Sequence, residues 1–414
     1  MIGAGIFSIL GTASQIAGNA VYVSFIIAGL VALLTTYSFA KLGAKFPSAG
    51  GPTEFLVRGF GDNVLSGGFN ILLWIGYIFA LALYARAFAS YAVTFFPNIS
   101  PIWVNIFGTI IILIFTAVNF IGAKAVGRSE LFIVTVKVGI LILFAIIGFL
   151  FIKPQLLSPA HYPPMDNILF AAAVLFLAYE GFGLITNSAE DMSNPQNTLP
   201  RALYFSVLIV IVIYVSVSFA VVGNLALPQI VKAKDYALAE AARPFLGLIG
   251  FKIMAVAALL STSSAINATL YGGANVSYTM AKEGELPEVF DRKVWGRGIE
   301  GLFITAGFVI LFANLFDLGG IAMLGSASFL LIYAAVNIGH LRLYKKTGAN
   351  RYIILLAFIG CLSVFVILVY YLLKYSHQTL IALVIVLIFS FLGEGIYRGL
   401  SRRKLKVREK KRDV

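Results

Sequence analysis

Eleven stretches of this chain run almost without a charge at or near the length needed to cross a bilayer, about 20 residues: 21–40, 65–85, 103–121, 131–152, 168–185, 204–222, 251–271, 301–315, 320–338, 352–373 and 379–397. Residues 1–16 add a shorter apolar twelfth. In hydrocarbon every backbone N–H and C=O has to find its partner inside the protein, which leaves helices and closed barrels. A barrel would show alternating apolar and polar positions; here the apolar runs are continuous, so the elements are helices. Composition agrees: 60% of the 414 residues are hydrophobic and 12% charged, where a soluble protein has about a quarter charged. The expected fold class is an all-α membrane protein, a single transmembrane domain over 1–414.

The net charge of +13 would suit a nucleic-acid binder, but the positions of the charges exclude that partner. Nine Lys/Arg lie between Arg398 and Arg412, directly behind the last apolar run. Alternating the loops from one face to the other, with the loop 41–58 inside, places 23 of the 31 Lys/Arg inside and six outside. Arg86 and Lys137 remain in or near the membrane. Cytoplasmic loops concentrate Lys and Arg, so both termini are expected to be cytoplasmic, in a multi-pass protein of the cell membrane. The loop 228–243 is expected to form one short amphipathic helix on the outer face.

One cysteine, Cys361, rules out a disulfide framework within the chain. His161, His340 and His377 are widely spaced, so no metal and no cofactor is expected. Scattered intramembrane ionisable groups argue against an enzyme, and neither a carbonyl filter loop nor a ring of charges argues for a channel.

The stretch 168–200 concentrates the unusual chemistry. Glu180 stands beside Gly181 and Gly183 in the middle of an apolar run. An ionisable group at that depth marks a functional site by default, and glycines let the backbone leave the helix, which is tolerated at membrane depth only under cover of protein or a water-filled cavity. Three readings of Glu180 stand together: a substrate contact, an ion pair with Lys137, or a protonated structural carboxyl. The pattern of G-x-G, two bulky apolar residues and a hydroxyl occurs at Gly181–Thr186 and again at Gly3–Ser8. Each copy opens a five-helix unit, 1–152 and 164–341. Glycine-interrupted helices at matching positions of two halves point to a transporter built from inverted repeats, with its site at the breaks. Residues 351–399 would add two helices and 400–414 a basic tail. If MIGAGIFS is the middle of a broken first helix, the half before Met1 is expected upstream.

GAGIF at Gly3–Phe7, KFPSAGGPTEFLVRGFG at Lys45–Gly61, AYEGFGLITNSAED at Ala178–Asp191, NPQNTLPRAL at Asn194–Leu203 and GGANVSYTMAKEGELPEVFDRK at Gly272–Lys293 resemble the amino acid–polyamine–organocation superfamily. Within it the chain is most similar to the archaeal proton-coupled permeases of the ApcT type. The resemblance implies a LeuT-like fold of 5+5 inverted repeats with two extra C-terminal transmembrane helices, 12 in total, the first truncated at its N-terminus. It implies that the substrate carboxylate meets backbone N–H groups at Gly3, Ala4 and Gly5, continuing into Ile6 and Phe7. It places the amino group at the carbonyls of Ala178, Tyr179 and Glu180, beside Gly181, with Phe182 or a neighbour as a gate. By the same resemblance Lys137 replaces a sodium ion and carries the coupling proton. Ser263, in the run Ser261–Ser264, is the expected facing hydroxyl. Read from its residues alone, Lys137 also fits a side chain reaching for the interface, as does Arg86.

The expected function is secondary active transport: a proton-coupled symporter of small or neutral L-amino acids working by alternating access. The rivals are an amino-acid exchanger and a carrier of cationic amino acids or polyamines. The partners are the substrate, protons and the lipid bilayer; oligomeric state is open.

Overall fold

The computed structural model describes residues 1–121, 126–283, 286, 288–290, 292–294 and 298–401. Lys124 and the basic tail from residue 402 lie outside them.

Helices carry almost everything described. The chain opens with α1 (Gly5–Ala17) and, after a single 3-10 turn, α2 (Val21–Lys45). A short α3 (Pro52–Phe60) lies along one face, started by Pro52, whose fixed φ suits a first helical turn. The long α4 (Val64–Ala92) begins on a capping box between Asn63 and Ser66 and is buried over most of its length. Then come α5 (Ile102–Ile121) and α6 (Val126–Leu150). The stretch 165–191 is a segmented helix: α7 (Met165–Leu175), a 3-10 turn over Phe176–Tyr179, α8 (Phe182–Ile185) and a further 3-10 segment to Asp191. It is followed by α9 (Pro195–Asn224), α10 (Leu227–Ala233), α11 (Ala237–Glu240) and α12 (Arg243–Glu283), which is kinked at Gly247, where φ is +61°. A two-residue ladder, β1 (Lys293–Val294) against β2 (Gly298–Ile299), precedes α13 (Glu300–Leu315). The last helices are α14 (Leu318–Thr347), α15 (Arg351–Tyr375) and α16 (His377–Ser401).

Ten helical segments among the described residues are long and apolar enough to cross a membrane, with α13 a shorter apolar helix besides. This is an all-helical, multi-pass membrane protein. The burial pattern shows what lies at its centre. α4, α14 and the segmented helix 165–191 are largely enclosed, while α5, α6, α15 and α16 expose large apolar side chains such as Leu143, Phe149, Ile385 and Phe389. Apolar surface outside and around the helices is the arrangement a bilayer favours, since lipid tails are as apolar as leucine.

The loop 228–243 departs from the single amphipathic helix expected of it. It is two short helices, α10 and α11, separated by Lys234 at φ +34°. Ile230, Ala233, Ala237, Leu238 and Ala239 are buried, because the loop folds down onto α1 instead of lying on the surface. At Gly11 the contact is so close that a Cβ would sit 1.9 Å from the Lys234 carbonyl oxygen. This end of the molecule is therefore closed over α1.

Candidate substrate and coupling site

The two glycine-containing stretches singled out in the sequence meet. α1 starts only at Gly5, and Ala4 before it offers no side-chain cap. A helix start leaves N–H groups without intrahelical acceptors and carries partial positive charge, which suits a carboxylate. Ser8 turns back, its amide and hydroxyl reaching the Ala4 carbonyl at 2.8 and 2.7 Å. A Cβ on Gly5 would lie 2.7 Å from Ala178 Cβ, so the start of α1 crosses the 3-10 turn of the segmented helix in direct contact. Ile6 and Phe7 are buried, and the Phe7 carbonyl accepts a hydrogen bond from Tyr91 Oη at 2.8 Å.

On the other side of the crossing, Tyr179 donates to the Phe25 carbonyl at 2.9 Å and Tyr333 to the Glu180 carbonyl at 3.1 Å. The Phe182 ring packs against Phe39 and Tyr333, with centroids 5.2 and 5.0 Å away. The backbone here does not open out as the glycines suggested. Glu180 and Gly181 keep right-handed helical angles, and the interruption takes the form of tightened turns: the Glu180 amide bonds the Leu177 carbonyl at 3.2 Å and the Gly183 amide the Glu180 carbonyl at 3.0 Å. Three-residue turns satisfy the backbone in a dry interior where an extended break would leave it bare.

Glu180 is fully buried, and neither carboxylate oxygen has a hydrogen-bond partner. Lys137 is not its ion-pair partner. That ammonium, on α6 and 2% exposed, donates to Ser264 Oγ at 3.2 Å. Burial also excludes the alternative in which Lys137 reaches for the interface. The facing hydroxyl is Ser264, where Ser263 was expected. Ser261 and Ser264 are three apart and share a face of α12; Ser263 is turned away from it and is only half-buried. The same face reaches α1, for Ser261 Oγ donates to the Gly3 carbonyl at 2.9 Å. Ser264 Oγ in turn donates to Glu130 Oε1. Sequence reading missed Glu130, although its spacing of seven from Lys137 puts both on one face of α6. Arg86, half-buried, donates to Asn105 Oδ1 at 3.1 Å and the Ala313 carbonyl at 2.9 Å, tying α4 to α5 and α13.

No group of three or more metal-ligating side chains occurs among the described residues. What the fold and this centre define is a polytopic membrane protein in which the start of α1 crosses a segmented helix in the interior, next to a buried ammonium and a buried carboxyl. The family model for amino acid permeases matches residues 1–391. Among curated relatives, an uncharacterised protein of Methanocaldococcus jannaschii is 45% identical over 97% of this chain and 93% of its own length. An inner membrane transport protein of Escherichia coli is 33% identical over 95% of this chain and 92% of its own. The methylthioribose transporter of Bacillus subtilis is 28% identical over 84% and 78%. The chain belongs to the amino acid permease family, within the amino acid–polyamine–organocation superfamily, and so to transporters and not enzymes.

Proposed function

We propose that this permease is a proton-coupled symporter that imports small or neutral L-amino acids across the cell membrane by alternating access. In this reading the face rich in Lys and Arg is cytoplasmic, with both termini on it, and residues 1–152 and 164–341 form the two inverted repeats, with 351–399 as two added helices. The substrate carboxylate would lie at the amides around Gly3, Ala4 and Gly5, where α1 begins. Its ammonium would lie at Ala178, Tyr179 and Glu180, where carbonyl dipoles and an unpartnered carboxyl offer the opposite sign. Phe182, with Phe39 and Tyr333, would close the path toward the basic face.

The observation that carries the coupling half of the proposal is the position of Lys137. A buried amine changes its protonation state readily, and Lys137 is linked through α12 to the start of α1: Lys137 to Ser264, then Ser261 to the Gly3 carbonyl. Gaining or losing a proton at Lys137 would thus alter the anchoring of the helix that holds the substrate. The test is uptake of a panel of labelled amino acids into proteoliposomes, with and without an inward proton gradient. Gradient-driven accumulation in wild type, reduced by about tenfold or more in Lys137→Ala, is the expected result. Uptake that ignores the gradient and needs internal amino acid would make the protein an exchanger.

The unpartnered Glu180 favours a second reading, a carrier of cationic amino acids or polyamines, because a buried anion is best neutralised by a cation. Glu180→Gln would then lose lysine or putrescine uptake selectively. An unchanged substrate profile removes that reading.

A further inference from the structure

Glu130 has no part in the scheme above, yet it ends a directional chain of hydrogen bonds that starts at Lys137. The Lys137 ammonium donates to Ser264 Oγ at 3.2 Å. The Ser264 hydroxyl donates to Glu130 Oε1. Lys137 and Ser264 are buried, 2% and 4% exposed, whereas Glu130 is half-buried. Seven residues of helix separate Lys137 from Glu130, about 10 Å along α6, so the chain leads from the interior toward the end of α6 at the basic face.

The surroundings isolate this path. Two helices pack along α6, namely α9 and α12. α12 brings no charged side chain between Lys252 and Lys282, only Tyr271 and Tyr278 among titratable groups, and its Asn267 pairs with Asn119. α9 brings Tyr204 and Tyr214 but no charge after Arg201. Glu130 is the charged side chain that the hydrogen bonds from Lys137 lead to, and Glu180 lies on the segmented helix, beside the start of α1.

We infer that Glu130 is the proton exit for Lys137, reached through the Ser264 hydroxyl. The step balances within three side chains. An N–H bond of the Lys137 ammonium breaks as an O–H bond forms on Ser264; the original Ser264 O–H breaks as one forms on Glu130. The products are a neutral amine, an unchanged serine and a carboxylic acid, which loses its proton to water at the basic face. Glu130 is bonded to Ser264, whereas the Gly3 carbonyl is held by Ser261, so Glu130 acts on the return of the empty carrier and not on binding. This inference rests on the symport reading.

The experiment separates the two. Proteoliposomes holding the pH dye pyranine are given unlabelled L-alanine, L-serine and L-leucine, and internal acidification is followed. Counterflow of labelled against unlabelled L-alanine is measured in parallel, since a carrier that exchanges without emptying never has to release its proton. Glu130→Gln should keep counterflow within about twofold while acidification and net uptake fall about tenfold or more, and Glu130→Asp should restore part of the loss. Wild-type acidification that persists in Glu130→Gln overturns the relay and leaves symport standing. Parallel loss of counterflow and net uptake, unrelieved in Glu130→Asp, overturns it in favour of a structural role. Counterflow in wild type without acidification removes symport, and the relay with it.

Discussion

At the crossing of α1 with the segmented helix, one hydrogen atom decides the fit. Gly5 lies so close to Ala178 that a methyl group would stand 2.7 Å from the Ala178 Cβ and 2.8 Å from its Cα. Those neighbours are backbone and Cβ, which cannot swing away. Gly5→Val should therefore abolish uptake, by at least about tenfold, while the protein still elutes as a single folded species in detergent. Overpacking at one contact typically costs about 1–3 kcal/mol, less than a domain's stability. Wild-type uptake in that variant would mean that the start of α1 and the segmented helix do not meet in the working protein. Sequence reading found Gly3–Phe7 and Ala178–Phe182, and the structure brings Gly5 and Ala178 into contact. It chose the wrong hydroxyl, because the run Ser261–Ser264 is polar all round and only the packing of α12 on α6 and α1 picks out Ser261 and Ser264. Glu180 stays without a partner, a state that spacing along a chain cannot reveal.

Among the elements, the pair α10–α11 acts as a plug over α1. Its tightest point is the Lys234 carbonyl against Gly11, and Lys234 Nζ also pairs with Asp317 at 3.3 Å. Exposed pairs of this kind contribute little, about 0–1 kcal/mol, so the backbone contact is what shapes the closure. Gly11→Val should hold the plug off α1 and slow net transport by about tenfold with substrate binding retained. Equal loss of binding and transport would contradict that. Asp235 in the same plug accepts a hydrogen bond from Ser90 at 3.3 Å. Burial, the largest influence, holds its carboxyl above the ordinary value of 3.8, partly offset by Lys234 and Arg86. A carboxyl raised by burial binds more protons when the plug is closed than when it is open. Closure should strengthen as pH falls through that raised value and level off below 3.8. Labelling of a cysteine placed at Ser14, buried on the same face of α1 as Gly11, should slow on acidification by more than the loss of thiolate accounts for, and Asp235→Asn should remove that excess.

For the whole molecule, the sidedness of the basic residues makes its own prediction. With Cys361 replaced by alanine, Asn98→Cys and Lys345→Cys each carry a single thiol at an exposed position on opposite faces. A membrane-impermeant maleimide should label Asn98→Cys in intact cells and Lys345→Cys only in inverted vesicles. The reverse pattern would invert the proposed orientation, because Lys and Arg concentrate on the cytoplasmic side. Long apolar runs, their helical state and the distribution of charge were all settled by the sequence alone. Each follows from the rule that a backbone in hydrocarbon bonds to itself and that charges stay near water. Which face of each helix meets which neighbour was decided only by the tertiary structure. These helices are apolar nearly all round, so no periodic stripe announces the buried side. The meeting of Gly5 with Ala178, of Lys137 with Ser264 and of Ser264 with Glu130 arises from contacts between helices far apart in the chain.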